Sequence, residues 1–276
     1  MQARQGAASN KMIRFFRKLS ANRSLIKNLV LRDLKHRYVG SMGGFLWSVI
    51  HPVVLLVSYT FVFTVMFGAR AKLGPEYGTD HFSIFLFCGI LPWLMFQDTV
   101  MRNCSVITDN APLITKTIIP AEILPISITL SNLIHHLIGM GLLLGALIVF
   151  VDIHLSALWI LLYLPMLLLF AQGLGWIAAG LHVFLRDTIQ ALQIMMFLWF
   201  WFTPVFYPIE SIPENLRFLF GFNPVAIIVM GYRSSLLNLN RPGWAPTAAV
   251  LMVSIAVFVL GGMLFRQTKP AFPDVL

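Results

Sequence analysis

The chain alternates short polar clusters with long stretches that carry no charge. No Asp, Glu, Lys or Arg occurs between Arg37 and Arg70, between Glu122 and Asp152, between Asp152 and Arg186, or between Arg241 and Arg266. Crossing the hydrocarbon of a bilayer takes about 20 apolar residues in a helix. The gaps therefore predict spanning helices near residues 44–68, 124–150, 156–181 and 245–265. Two further spans are expected, one at about 82–101 with Pro92 inside it and Asp98 near its end. The other follows Asp187 and closes around Tyr207, with Pro204 near its exit. The expected fold class is all-α, an integral membrane protein with six transmembrane helices in one domain over 44–265. A basic arm, residues 1–43, precedes that domain and a short cytoplasmic tail, 266–276, follows it.

The arm has its own periodicity. Met12, Ile13, Phe15, Phe16 and Leu19 recur at helical spacing opposite Arg14, Arg17 and Lys18. After a break at Ser20-Ala21-Asn22, Ile26, Leu29, Val30 and Leu34 continue opposite Arg23, Lys27, Arg32 and Lys35. An apolar stripe backed by cations suits an amphipathic helix lying in the membrane interface; the plainer alternative is a solvated basic face that only sets topology. Gly40, Gly43 and Gly44 allow a sharp turn from the interface into the first span.

Composition agrees with the pattern: 58% of residues are hydrophobic, 11% are charged and the mean hydropathy is +0.80. A soluble domain has about 25% charged residues. The formal net charge is +9, and its distribution sets orientation through the Lys and Arg bias. With both termini in the cytoplasm, the outside segments hold Arg70, Lys72, Arg217, Arg233 and Arg241, matched by Glu76, Asp80, Asp152, Glu210 and Glu214. The excess positive charge then lies wholly inside. It describes topology rather than a nucleic-acid footprint, since no folded basic domain is expected. Ala69-Arg70-Ala71 resembles a signal cleavage site, but the apolar run before it exceeds the 7–15 residues of a signal core. Cys88 and Cys104 lie about 24 Å apart along one expected helix, too far to form a disulfide.

Pro52, Pro92 and Pro204 each free a helix carbonyl within or near a span, which membranes tolerate where a neighbour or water satisfies it. His51, His135, His136 and His182 are expected as inter-helix hydrogen-bond partners, with no metal site. Proton coupling would call for several intramembrane carboxylates, and Asp98, placed near the cytoplasmic surface, is the nearest approach to one. Aromatic residues concentrate in the first and fifth spans: Tyr59, Phe61, Phe63 and Phe67 in one, Phe197, Trp199, Phe200, Trp201, Phe202, Phe206 and Tyr207 in the other. Such rings stack on sugars and acyl chains, and some of them serve as an interfacial belt. In the outer segment 208–242, the charge-free stretch from Phe218 to Tyr232 is too short to cross and is interrupted by Gly221, Asn223 and Pro224. A re-entrant pair of short helices fits. No G-x-x-x-x-G-K-[ST], G-x-S-x-G, H-E-x-x-H or Cys-x-x-Cys occurs, so the chain is not expected to be an enzyme with its own nucleotide site, and any energy comes from another chain.

Three stretches carry a family resemblance. RDLKHRYVGSMGGFLWSVIHPVVLLVSYTFVF (32–63) resembles the entry to the first span of polysaccharide-exporting ABC-2 permeases. LITKTIIPAEILP (113–125) resembles the cytoplasmic loop after their second span, and FYPIESIPENLRFLFGFNPVAIIVMGYRSSLL (206–237) their outer segment. The nearest likeness is to the membrane subunit that exports lipid-linked O-antigen, with capsule and teichoic acid exporters as relatives. The resemblance implies a homodimer in the inner membrane with two copies of a separate ATPase. It also implies no cofactor on this chain, ATP and Mg being used by the partner, and no nucleic acid. Leu113, Ile114 and Lys116 in the 102–122 loop would then couple to the ATPase, with Arg186 and Asp187 as a smaller contact. Arg32, Lys35 and Arg37 would capture the pyrophosphate-linked lipid head. Tyr59, Phe63, Phe197, Trp199, Trp201 and Phe206 would line the glycan path. The rivals from other classes are a partner-independent channel or secondary carrier, and a membrane glycosyltransferase, which would need an acidic pair in a long loop.

Overall fold

The computed structural model describes residues 21–37, 46–62, 79, 81–116 and 120–276. Helices supply all the regular structure among them. The arm forms α1 (Arg23–His36), and the first apolar run forms α2 (Trp47–Thr60). α3 (Phe82–Asp109), a short α4 (Ala111–Lys116) and α5 (Ile123–Phe150) follow. α6 (Ile160–Phe184) is preceded by a 3-10 turn over Leu155–Trp159. The second half holds α7 (Thr188–Trp201), α8 (Glu214–Gly221), α9 (Pro224–Leu236), α10 (Trp244–Thr268) and a terminal α11 (Phe272–Val275).

Four stretches are long and apolar enough to cross a bilayer: Phe82–Asp109, Ile123–Phe150, Leu155–Phe184 and Trp244–Val275. A fifth arises if α8 and α9, bent by 100° at their junction, count as one. α2 and α7 have 14 residues each, roughly 21 Å of helix, short of the hydrocarbon thickness. The continuation of α2 beyond residue 62, including Phe63, lies outside the described residues, as do Gly40, Gly43, Gly44 and the first half of the arm.

α3 is the central helix. Some 78% of its apolar window is buried by protein, against 22% for that of α10, whose large apolar side chains face outward. It also runs farther than the sequence suggests, to Asp109 rather than to 101. No glycine or proline stops it between Trp93 and Asn110; Pro112 then opens α4. Asp98, expected near the helix end, therefore stands about 16 Å inside it.

α6 and α10 cross backbone to backbone. A Cβ at Gly261 would overlap the Gly173 carbonyl, and one at Gly173 would overlap the Val257 carbonyl. Apolar helices gain little from hiding apolar surface from lipid, so such close approach supplies the association energy.

Candidate functional site

The bundle has two chemically different ends. α3 and α6 finish at one, together with α1, α4 and the chain terminus, and this basic end is built on a second apolar cluster. Leu29 of α1, Ile107 of α3, Ile123 and Leu124 of α5, Val183 of α6 and Phe265 of α10 form it. Ile114 of α4 packs against it, half-buried, as Leu113 is. Phe272 is 0% exposed and holds Phe265 edge-on at 5.4 Å and Phe184 at 6.2 Å. Lys269 Nζ meets Glu122 Oε2 at 2.8 Å. The terminal residues 266–276 are thus folded against this end and touch both α4 and α6. Arg186 and Asp187 stay exposed in the turn after α6. The structure brings Leu113, Ile114, Arg186 and Asp187 to one end; the Lys116 side chain lies outside the described residues.

A polar network pins α1 to the bundle. Asp33, the single acid of residues 1–43, accepts from the Arg102 guanidinium and from Ser131 Oγ and pairs with Arg37 at 3.7 Å. Burial alone would raise the Asp33 carboxyl, but the Ser131 hydroxyl and the charges of Arg102 and Arg37 outweigh it and hold the group below the ordinary carboxylate range. Arg102 Nη1 and the Arg37 guanidinium both donate to Asn132 Oδ1, whose amide donates to Thr99 at 3.2 Å. The three cations assigned to lipid-head capture therefore separate. Arg37 is turned into the bundle, Arg32 donates to Asn110 Oδ1 at 2.9 Å beside α4, and Lys35 is exposed. Sequence reasoning passed over Asp33, although a lone acid among ten cations is itself the signal of an internal partner.

At the far end, α7 stops at Trp201 and the chain continues through Phe202–Pro208 without a helix. Asn223 joins this stretch to the outer segment. Its side-chain oxygen caps α9, accepting from Val225 N at 3.1 Å and Ala226 N at 3.3 Å, with Pro224 in the first turn. The same oxygen accepts from Trp199 Nε1 at 2.9 Å, and its amide donates to the Phe202 carbonyl at 2.8 Å. The α8–α9 bend thus comes from a cap and a proline.

Arg233, counted among the charges of the outside segments, is buried, at 5% exposed. Its guanidinium donates to the carbonyls of Pro204, Val205, Tyr207 and Phe85 and lies 3.8 Å from the Phe85 ring centre. Irregular backbone at membrane depth needs internal donors, and Arg carries five in a fixed fork. Gly89 makes the room, since a Cβ there would strike the guanidinium.

The aromatic residues assigned to the glycan path divide in two. Tyr59 lies edge-on to Phe206 at 4.9 Å; Phe206 meets Phe200 at 5.1 Å and Trp201 at 6.3 Å. Phe197, 63% exposed, reaches Trp201, 53% exposed, at 6.5 Å. These form one cluster between α2 and the exit of α7. Trp199 points elsewhere, into the core against Phe96 at 5.2 Å and Phe170 at 6.1 Å.

The ABC-2 type transporter family matches residues 24–237. The chain is 30% identical over 269 residues to the O-antigen export system permease protein RfbA of Myxococcus xanthus, covering 95% of this chain and 99% of the relative. It is 28% identical over 250 residues to the O-antigen export system permease protein RfbA of Klebsiella pneumoniae, covering 89% and 92%. To the polysialic acid transport protein KpsM of Escherichia coli it is 20% identical over 254 residues, covering 89% and 94%. With a match across most of its length and four to five helices able to cross a bilayer, the chain is a multi-pass membrane protein that belongs to the ABC-2 type transporter family.

Proposed function

We propose that this chain is the membrane-spanning subunit of an ABC exporter for lipid-linked polysaccharide, O-antigen being the class to which two of its relatives' names point. A separate ATPase supplies the energy. The observation that carries the reading is the basic end: α4, the end of α6 and the terminal helix all anchor on one apolar cluster, through Ile114, Val183 and Phe272, while Pro112, Thr115, Arg186 and Asp187 stay exposed. That arrangement is a rigid platform for a second protein, and α4 is the helix through which ATPase movement reaches α3 and α5.

In this reading the basic end is cytoplasmic, and both termini lie on the cytoplasmic side of the inner membrane. α2 and α7 complete six spans, α1 lies in the interface, and α8 with α9 re-enters from outside. Two copies of the chain pair with two ATPases, and the Tyr59–Phe206–Trp201 cluster borders the glycan path. The relative that carries polysialic acid keeps capsule export as the second reading.

The test is export of labelled polymer in a strain lacking its own permease, scored together with ATPase copurification in mild detergent. Ile114→Pro and Lys116→Glu should lower export at least tenfold while membrane insertion persists. Full export in both variants with ATPase association intact would reduce α4 to a connector. Ion-driven uptake by the purified chain alone would overturn the assignment.

A further inference from the structure

A cavity of about 460 Å³ opens between the end of α1, the first half of α2, α3 and α5. Its polar lining is Arg37, His51, Asp98, Asn132, His135 and His136, and Trp47, half exposed, stands among the lining residues. Arg37 and Asn132 are bonded to each other, and His136 Nε2 meets Tyr232 Oη at 3.2 Å. Asp98 and His51 take no hydrogen bond among the described residues, although both face this space. Asp98 stands about 24 Å along α3 from Phe82, within a helix long and apolar enough to span. An ionisable group there faces a functional cavity by default, because lipid cannot solvate it.

We infer that this cavity binds the sugar–phosphate junction of a lipid-linked glycan, with Asp98 accepting sugar hydroxyls and Arg37 and His51 facing the phosphate. The inference rests on the export reading above. Three features select this ligand. The volume falls within the roughly 300–1,000 Å³ of small-molecule sites. Planar hydrogen-bonding groups beside an indole suit a pyranose, which offers hydroxyls at its edge and an apolar face. The Arg37 guanidinium, held in place by Asn132 and Asp33, brings positive charge to the cavity wall, where it favours phosphate oxygens. Asp98 then supplies selectivity: a bare phosphate meets its negative charge and is repelled, whereas a glycosylated phosphate presents hydroxyl donors to the same carboxylate. The site thereby prefers loaded lipid over the empty anionic carrier and over ordinary anionic lipids.

The experiment uses the permease copurified with its ATPase in lipid nanodiscs. Binding of farnesyl diphosphate is compared with that of farnesyl diphosphate carrying glucose, galactose or N-acetylglucosamine. The wild type should favour the best glycosylated probe over the bare diphosphate by about tenfold, the scale of one hydrogen bond to a charged group. Asp98→Asn, nearly isosteric, should bring that ratio close to one, chiefly by tightening the bare probe. Trp47→Ala should weaken the glycosylated probe alone, and His51→Gln should weaken both together. An unchanged ratio in Asp98→Asn, or no glycosyl preference in the wild type, overturns the assignment. Polymer export by the wild type is scored in parallel: its absence removes the exporter reading itself, whereas export with an unaltered Asp98→Asn ratio removes only this site.

Discussion

Two arginines held in opposite ways distinguish the ends of this molecule. At the far end, Arg233 is buried against the neutral carbonyls of Pro204, Val205, Tyr207 and Phe85, with no ion pair among the described residues. At the basic end, Arg102 is partly exposed and meets a carboxylate, Asp33, that it shares with Arg37 and Ser131. The first arrangement satisfies backbone that has left its helix and has no water to turn to, so it has one geometry and no cheap alternative. The second joins side chains whose partners could return to solvent. The far end is therefore built as a lock, and the basic end as a dock that salt and protons can loosen.

Arg233 sets the sharpest test. Arg233→Met leaves the Pro204 and Val205 carbonyls without their donor, at about 1–3 kcal/mol each. The thermal midpoint of the purified permease should fall by more than for any variant at the basic end. Arg233→Lys should recover little, because an ammonium cannot reproduce the fork. A wild-type midpoint for Arg233→Met would show that the lock contributes nothing. Gly261→Ala comes next. It forces α6 and α10 apart where the Gly173 carbonyl now touches, and overpacking of that kind costs about 1–3 kcal/mol; the midpoint should drop while α1 docking is unaltered.

Smaller, more local effects are expected at the dock. Asp33→Asn removes the charge that Arg102 and Arg37 share, so hydrogen exchange over residues 23–36 should accelerate roughly tenfold with the far end unmoved. Exchange that rises equally at both ends would erase the distinction between them. Acid should mimic the substitution. The Asp33 carboxyl is depressed in the folded state, so its contribution is complete above the unfolded value of about 3.9 and fades as pH falls through the lower folded value. Protection of α1 should hold at neutral pH and weaken below about pH 4. Arg32→Gln, which loses one exposed bond to Asn110, should change stability by less than about 1 kcal/mol.

Charge-free length alone placed α5, α6 and α10 within a few residues, because a chain that must satisfy every backbone group in hydrocarbon has only the helix available. The amphipathic periodicity of residues 23–35 likewise located α1, and the interruption at Gly221, Asn223 and Pro224 located the bend between α8 and α9. The length of α3 and the depth of Asp98 were not legible in this way, since Asp98 and Arg102 break the charge-free run while the helix continues to Asp109. Nor could a linear pattern tell an exposed cation from a buried one. Arg233 lies 144 positions beyond the Gly89 that makes room for it, and Asp33 meets Ser131 across |i−j| = 98. Local periodicity records which residues avoid water, a property each carries alone. Which polar groups satisfy one another depends on how helices distant in sequence cross, and that is decided by close packing in three dimensions.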